Sequence, residues 1–244
     1  MSEAAIAIPS VTLASRVANV YKTGAFSYTA NYTVTSVNET QGVVALNIVV
    51  YDLASNIYVQ TVVNDTSYVI IDTVIPTFPV VQMQTTNRVN QSMATIGDVI
   101  TISFNVSELA LFLPTAEMAS KSVPVYPVDV NMYVTNYTVV ANDIQGLLQY
   151  WIAVYDYARN LGNVTDSSTD GSYAIIDTIN HVIFNVSMIC NNKNPKIAKT
   201  GDVITITFVS SEELYVYQTT IVGNSATVTT SDFITYTTVY NPKD

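Results

Sequence analysis

The residues in this sequence best suited to chemistry are carboxylates and amides that recur 104 or 105 positions apart. Tyr51, Asp52, Ala54 and Asn56 return as Tyr155, Asp156, Ala158 and Asn160, an Asp-x-Ala-x-Asn pattern, and Ile71-Asp72-Thr73 returns as Ile176-Asp177-Thr178. Glu3 returns as Glu108. Such side chains present hard oxygens, the donors that Ca²⁺ selects. Asn-x-Ser/Thr triplets without a central proline begin at Asn31, Asn38, Asn64, Asn90, Asn105, Asn136, Asn163 and Asn185. Each is an acceptor pattern for an N-linked glycan, which needs a solvent-facing position. Their number says little in a chain this rich in Asn and Thr, so placement has to carry the weight.

Catalytic groupings are thin. His181 is the sole histidine and Cys190 the sole cysteine. They match no recognised base–nucleophile motif, so the histidine reads as a surface or linker residue and the thiol as either a small buried hydrophobe or an intermolecular thiol. Glu212-Glu213 and the pair Asp166 and Asp170 are acids close in sequence, but neighbours on one strand or loop do not oppose each other across a glycosidic bond. The eight glycines form no phosphate-cradling loop. The chain is therefore read as no enzyme. Trp151 and many of the 17 tyrosines invite a carbohydrate platform as the rival reading.

The elements that must position these groups are strands. The 244 residues are 49% apolar, with Val, Ile, Thr and Tyr recurring and helix formers sparse, as pleated half-buried surfaces require. Only 11% are charged and the net charge is −10, which repels a nucleic-acid backbone. No window is apolar enough for a membrane span, and residues 1–9 lack the basic start of a signal peptide. One cysteine excludes an internal disulfide framework.

Self-comparison sets the organisation. Pro9, Ala14, Ser15, Val20, Tyr21, Tyr28 and Asn31-Tyr32-Thr33-Val34 recur 105 positions later, and after a one-residue slip Gln41-Gly42 matches Gln145-Gly146. Residues 97–102, Gly-Asp-Val-Ile-Thr-Ile, reappear at 201–206. A period of about 105 residues is the size of one immunoglobulin-like sandwich. The expected division is a partial repeat over 1–74, a complete one over 75–178 and a second partial one over 179–244. In the complete repeat Ile100, Ile102, Phe104 and Val106 alternate on one face of a strand, Leu148, Tyr150, Ile152 and Val154 form a second inward face, and Tyr133, Tyr137 and Val139 a third. The first repeat matches the last two with Val44, Leu46, Ile48 and Val50, and with Tyr28, Tyr32 and Val34. By parity Asn31, Asn105, Asn136 and Asn185 point outward, and Asn38, Asn64, Asn90 and Asn163 fall in loops.

The order Gly-Asp-Val-Ile-Thr-Ile, then Ser-Glu, Asp-x-Ala-x-Asn and Ile-Asp-Thr with Pro76 following resembles the immunoglobulin-like repeats of microbial extracellular adhesins, biofilm proteins and surface filaments. That family usually places Gly before the Asn, where this chain has Ser55 and Arg159, and the linker proline gives way to Ile179-Asn180-His181 after Asp177. The resemblance implies tandem all-β immunoglobulin-like β-sandwiches displayed outside a cell, used for reach, adhesion or assembly, with adjacent repeats or identical subunits as partners. In a sandwich of this topology the last strand ends at the loop pole of the next domain. Asp72 is then expected to approach Glu108, Asp156 and Asn160, and Asp177 to approach Glu212 or Glu213, with calcium as the candidate ion at both joints. The expected function is a structural component of a glycosylated extracellular fibre, filament or surface layer. The alternative is an adhesin segment that binds a glycan or a partner-cell receptor.

Overall fold

The computed structural model describes residues 5, 7–35, 39–215 and 217–241. Contacts divide the chain into two units, Met1–Thr178 and Ile179–Asp244. The first repeat contributes β1 (Ser10–Leu13), β2 (Arg16–Val17), β3 (Asn19–Lys22), β4 (Tyr28–Asn31), β5 (Gly42–Val43), β6 (Leu46–Tyr51), β7 (Ile57–Gln60) and β8 (Ile70–Ile71). The middle repeat, in the same unit, contributes β9 (Val80–Thr85), β10 (Met93–Ala94), β11 (Val99–Asn105), β12 (Thr115–Met118), β13 (Lys121–Val123), β14 (Val125–Asp129), β15 (Met132–Thr138), β16 (Gly146–Leu147), β17 (Tyr150–Tyr155), β18 (Leu161–Thr165) and β19 (Ile175–Ile176). The second unit contains β20 (Ile183–Cys190), β21 (Ile204–Ser210), β22 (Thr219–Ile221), β23 (Asn224–Thr230) and β24 (Thr235–Tyr240). No helix occurs among the described residues.

In the middle repeat, sheets ordered β14-β15-β11-β9 and β13-β12-β17-β18 enclose one core, as in a β-sandwich. Strict alternation makes this possible. Ile100, Ile102 and Phe104 on β11 are fully buried, as are Met118 and Ile152 from the other sheet, while the intervening residues face outward. Phe104 stacks on Tyr133 at 5.6 Å between ring centres. Each such large side chain contributes roughly 1.5–3 kcal/mol on burial. Pro127 sits on the edge strand β14, where the pairing with β15 shifts register and a missing amide costs least.

The first repeat repeats one of these sheets as β2-β1-β6-β7, with β3 and β4 as a separate antiparallel pair. Its inward residues differ from expectation in depth. Val44, Leu46, Ile48 and Val50 are half-buried and Val34 is exposed, whereas Leu148, Tyr150, Ile152, Val154 and Val139 are all buried. The physical reason is that β9 and β11 close the middle repeat, and among the described residues nothing occupies their place in the first.

The second unit is a single sheet ordered β20-β21-β24-β23-β22. Pairing carries the internal match beyond residue 206. Ile204, Ile206 and Phe208 lie opposite Tyr240, Thr238 and Tyr236, as Ile100, Ile102 and Phe104 lie opposite Tyr137, Thr135 and Tyr133. Two-residue hairpin turns also recur, at Ala14-Ser15, Ala119-Ser120 and Val222-Gly223. Both turn residues have positive φ in all three, the conformation that fits the twist of a two-residue hairpin.

Candidate functional site

The site grows from the Asp-x-Ala-x-Asn loop. Asp156 ends the run of β17, and its Oδ1 accepts the Asn160 amide at 2.8 Å while its Oδ2 accepts Asn160 Nδ2 at 2.7 Å. Asp52 and Asn56 make the same two bonds at 2.8 and 2.6 Å. Closing so tight a loop needs a left-handed residue before the Asn, and Ser55 and Arg159 adopt φ of 63° and 68° there. The geometry of a glycine is thus kept without a glycine, at a backbone cost of about 1–2 kcal/mol each.

Three elements bring acids onto this loop. Asp72 follows β8, Glu108 follows β11, and Asp156 is 1% exposed. One oxygen from each lies within 4.8 Å of the others. Burial, then the charges of Asp156 and Asp72, raise the Glu108 carboxyl above its ordinary value. Of the expected ligands, Asn160 has a different part: its Nδ2 also donates to the Asp72 carbonyl at 3.2 Å, so the amide ties the linker to the loop and orients Asp156. Asp177 belongs to the first unit, where its amide bonds the Ala94 carbonyl at 2.9 Å, and Glu212 and Glu213 belong to the second.

The segment joining the two repeats is held on both sides. Thr77 and Ser107 exchange two bonds, at 3.0 and 2.9 Å. A Cβ on Gly162 would stand 2.1 Å from the Pro76 carbonyl oxygen, so only glycine lets β18 lie against the linker. At the far end of each repeat a glutamine clamps the exit. Gln145 accepts the Thr178 amide at 2.7 Å and donates to Thr178 Oγ1 and the Asp143 carbonyl at 2.7 and 2.8 Å. Gln41 does the same with Thr73 and Glu39 at 2.8, 2.9 and 2.8 Å.

Sequence reasoning missed a second recurrent group. Asp143 is buried and accepts Tyr137 Oη at 2.7 Å, Lys121 Nζ at 2.6 Å and the Val140 amide at 2.8 Å. Burial pushes its pKa upward, but the bonds from Lys121, Val140 and Tyr137 outweigh it and hold the carboxyl below the usual range. In the first repeat Tyr32 donates to Glu39, with Arg16 Nε 3.5 Å from that carboxylate. In the second unit Asn224 donates to Tyr240 Oη at 3.2 Å. The available signal was the recurrence of Tyr32 as Tyr137 together with a base at both Arg16 and Lys121.

The remaining candidates disperse. His181 is exposed ahead of β20, and Cys190, half-buried at the other end of that strand, accepts the Asn192 amide through Sγ at 3.5 Å. Asp170 accepts the Ser172 amide at 2.9 Å, as a turn residue does, and Asp166 accepts the amide of Tyr150, sixteen residues away, at 2.6 Å. Trp151 is half-buried beside Glu117, Gln149, Thr165 and Asp166 in a shallow groove of about 210 Å³. Of the glycan acceptors, Asn31, Asn64, Asn90, Asn136, Asn163 and Asn185 are exposed, with Asn163 on β18 rather than in the expected loop, Asn105 is half-buried, and Asn38 lies outside the described residues. Compared with known protein families, curated proteins and solved structures, the chain matches none.

Proposed function

We propose that this chain is a structural component of a glycosylated extracellular fibre, filament or surface layer, built from tandem immunoglobulin-like domains and carrying no catalytic activity. The joint between the first and middle repeats is the observation that carries the reading. A linker gripped by Asn160, by the Thr77–Ser107 exchange and by the close approach of Gly162 to Pro76 suits repeats that keep a fixed orientation, as a load-bearing rod needs and a binding module on a flexible tether does not. Calcium at Asp72, Glu108 and Asp156 would neutralise their mutual repulsion and stiffen that joint, the chemistry of the donor set being hard oxygen alone. N-linked glycans on the exposed sequon asparagines would coat the rod, and adjacent repeats or further copies of the chain would be its neighbours.

Electron microscopy of the native material tests the reading: repeats running head to tail along a fibre are expected, and dispersed single particles would sink it. The half-buried Trp151 beside two acids favours one rival, an adhesin segment that recognises a glycan or a partner-cell receptor. Saturable binding on a glycan array, lost on Trp151→Ala, is the outcome that would favour the rival.

A further inference from the structure

The outward faces of the middle repeat set aromatic rings beside glycan acceptors. On β17 and β18, Trp151 lies directly opposite Thr165, and Ala153 directly opposite Asn163. Trp151 and Asn163 are therefore diagonal neighbours on one face, about 7–8 Å apart and within reach of large side chains. On β14 and β15, Tyr126 lies opposite Val134, which makes it the diagonal neighbour of Asn136 on the outer face of the other sheet. Asn136, Asn163 and their sequon threonines Thr138 and Thr165 are exposed, Tyr126 is 50% exposed and Trp151 is half-buried.

Ring and acceptor come and go together along the chain. In the first repeat Tyr21 lies opposite Thr29, with Asn31 two residues on, so the pair of Tyr126 and Asn136 is repeated. Elsewhere both partners are missing. Val59, opposite Val49, stands where the middle repeat has Asn163, and Asn47 stands in the place of Trp151. In the second unit Thr207, the counterpart of Ser103, lies opposite Thr237, and Thr237 lies opposite Thr229. Val239 and Thr229 thus answer to Asn136 and Tyr126. The other strand sequons differ: Asn105 is half-buried, and Asn185 falls where the pairing of β20 with β21 breaks. A platform for a free sugar needs no asparagine beside it, whereas a ring that packs on an attached sugar needs both.

We propose that Asn136 and Asn163 carry N-linked glycans whose first sugar ring lies on Tyr126 and on Trp151, with Asn31 and Tyr21 as the first repeat's copy of the former pair. The glycan is then a packed part of each sheet face. The attaching step draws on a sugar donor linked to a lipid phosphate. The bond from the anomeric carbon to the carrier's phosphate oxygen breaks and a bond from that carbon to Asn Nδ2 forms. The phosphate leaves with the electron pair, and Nδ2 gives up one proton. The C–H face of the attached ring meets the negative face of the aromatic ring while its hydroxyls stay in water. The inference rests on the glycosylated reading above and names the acceptors that reading uses. It also closes Trp151 to a receptor's sugar.

Trp151 is the only tryptophan, so its fluorescence reads the packing directly. Chain made in its native cells is compared with chain from a host that attaches no N-glycans, with glycopeptide mass spectrometry for occupancy and acrylamide quenching for access to the indole. Sugar is expected on Asn136 and Asn163, and quenching of the native chain is expected to be roughly twofold weaker, because the sugar covers one of the two indole faces. Asn163→Gln should erase that difference in native cells and change nothing in the other host. Thr165→Ser keeps the acceptor pattern and should preserve the difference, as should Asn90→Gln in its loop. For the other pair, Tyr126→Ser should lower the melting temperature of the glycosylated chain by about 2–4 °C more than that of the bare chain. An occupied Asn163 with unchanged quenching would overturn the packing. Glycans confined to loop acceptors such as Asn64 and Asn90 would overturn the proposal and leave the glycosylated reading standing, whereas bare asparagines at every acceptor would remove both.

Discussion

Two carboxylates of the middle repeat answer acid in opposite senses. Glu108 has a raised folded pKa, so its ionisation opposes folding at neutral pH, and that penalty disappears as pH falls through the raised value towards that of the unfolded chain. Asp143 has a lowered folded pKa, so its stabilisation is full above the unfolded value and is lost as pH falls through the folded one. In chelator, Glu108→Gln is expected to raise the melting temperature near pH 7 and to remove the gain that the parent chain shows on mild acidification. With calcium added, the parent should melt higher and Glu108→Gln should respond little, so an equal calcium shift in both would exclude the triad as the site. Asp143→Ala strips Tyr137 and Lys121 of their shared acceptor and should cost about 2–3 kcal/mol in denaturant unfolding near neutral pH, less at acid pH. The acids of the joint were legible in the sequence because they recur at fixed spacing. Asp143 was not, because a carboxylate becomes buried only through Lys121 and Tyr137, which other strands deliver.

At the scale of elements, alternation made β11, β15 and β17 readable, since Ile100, Ile102 and Phe104, or Tyr150, Ile152 and Val154, announce a face by period two. The hairpins were not readable. Ala-Ser and Val-Gly lack the Asn-Gly or Asp-Gly signature, and their positive φ values are imposed by the pairing on either side. Likewise the Thr- and Val-rich stretches of β23 and β24 fit many registers as sequence, and pairing with β21 selects one. Inward patterning also could not reveal how deep a face lies, which is why Leu46 and Ile48 differ from Tyr150 and Ile152 despite equal parity. One element-level contact has a sharp test. Gly162→Ala drives a methyl group into the Pro76 carbonyl, so it should destabilise the first unit by about 3 kcal/mol. Limited proteolysis should then find new cleavage within residues 73–79, and unchanged cleavage would mean that the linker is not held there.

For the molecule as a whole, the net charge of −10 opposes any close packing of copies. Screening shortens from about 30 Å at 0.01 M salt to about 8 Å at 0.15 M. Light scattering should therefore report stronger association of the chain as salt rises over that range, and weaker association with salt would show that attraction between opposite charges dominates. The period of 105 residues, and with it the serial build, was evident in the sequence alone. Which faces stay open was not, because exposure depends on what each repeat finds to pack against.

The glutamine clamps have a mechanical consequence. In the proposed fibre, tension would enter each repeat where its exit segment leaves, at Thr73 or Thr178, and there Gln41 or Gln145 holds the backbone amide and the hydroxyl at once. The same side-chain amide grips the carbonyl of Glu39 or Asp143, the residue whose carboxylate accepts from Tyr32 or Tyr137. A pull would thereby be routed past the short β8 and β19 into the interior, with two bonds sharing the load where one would otherwise peel first.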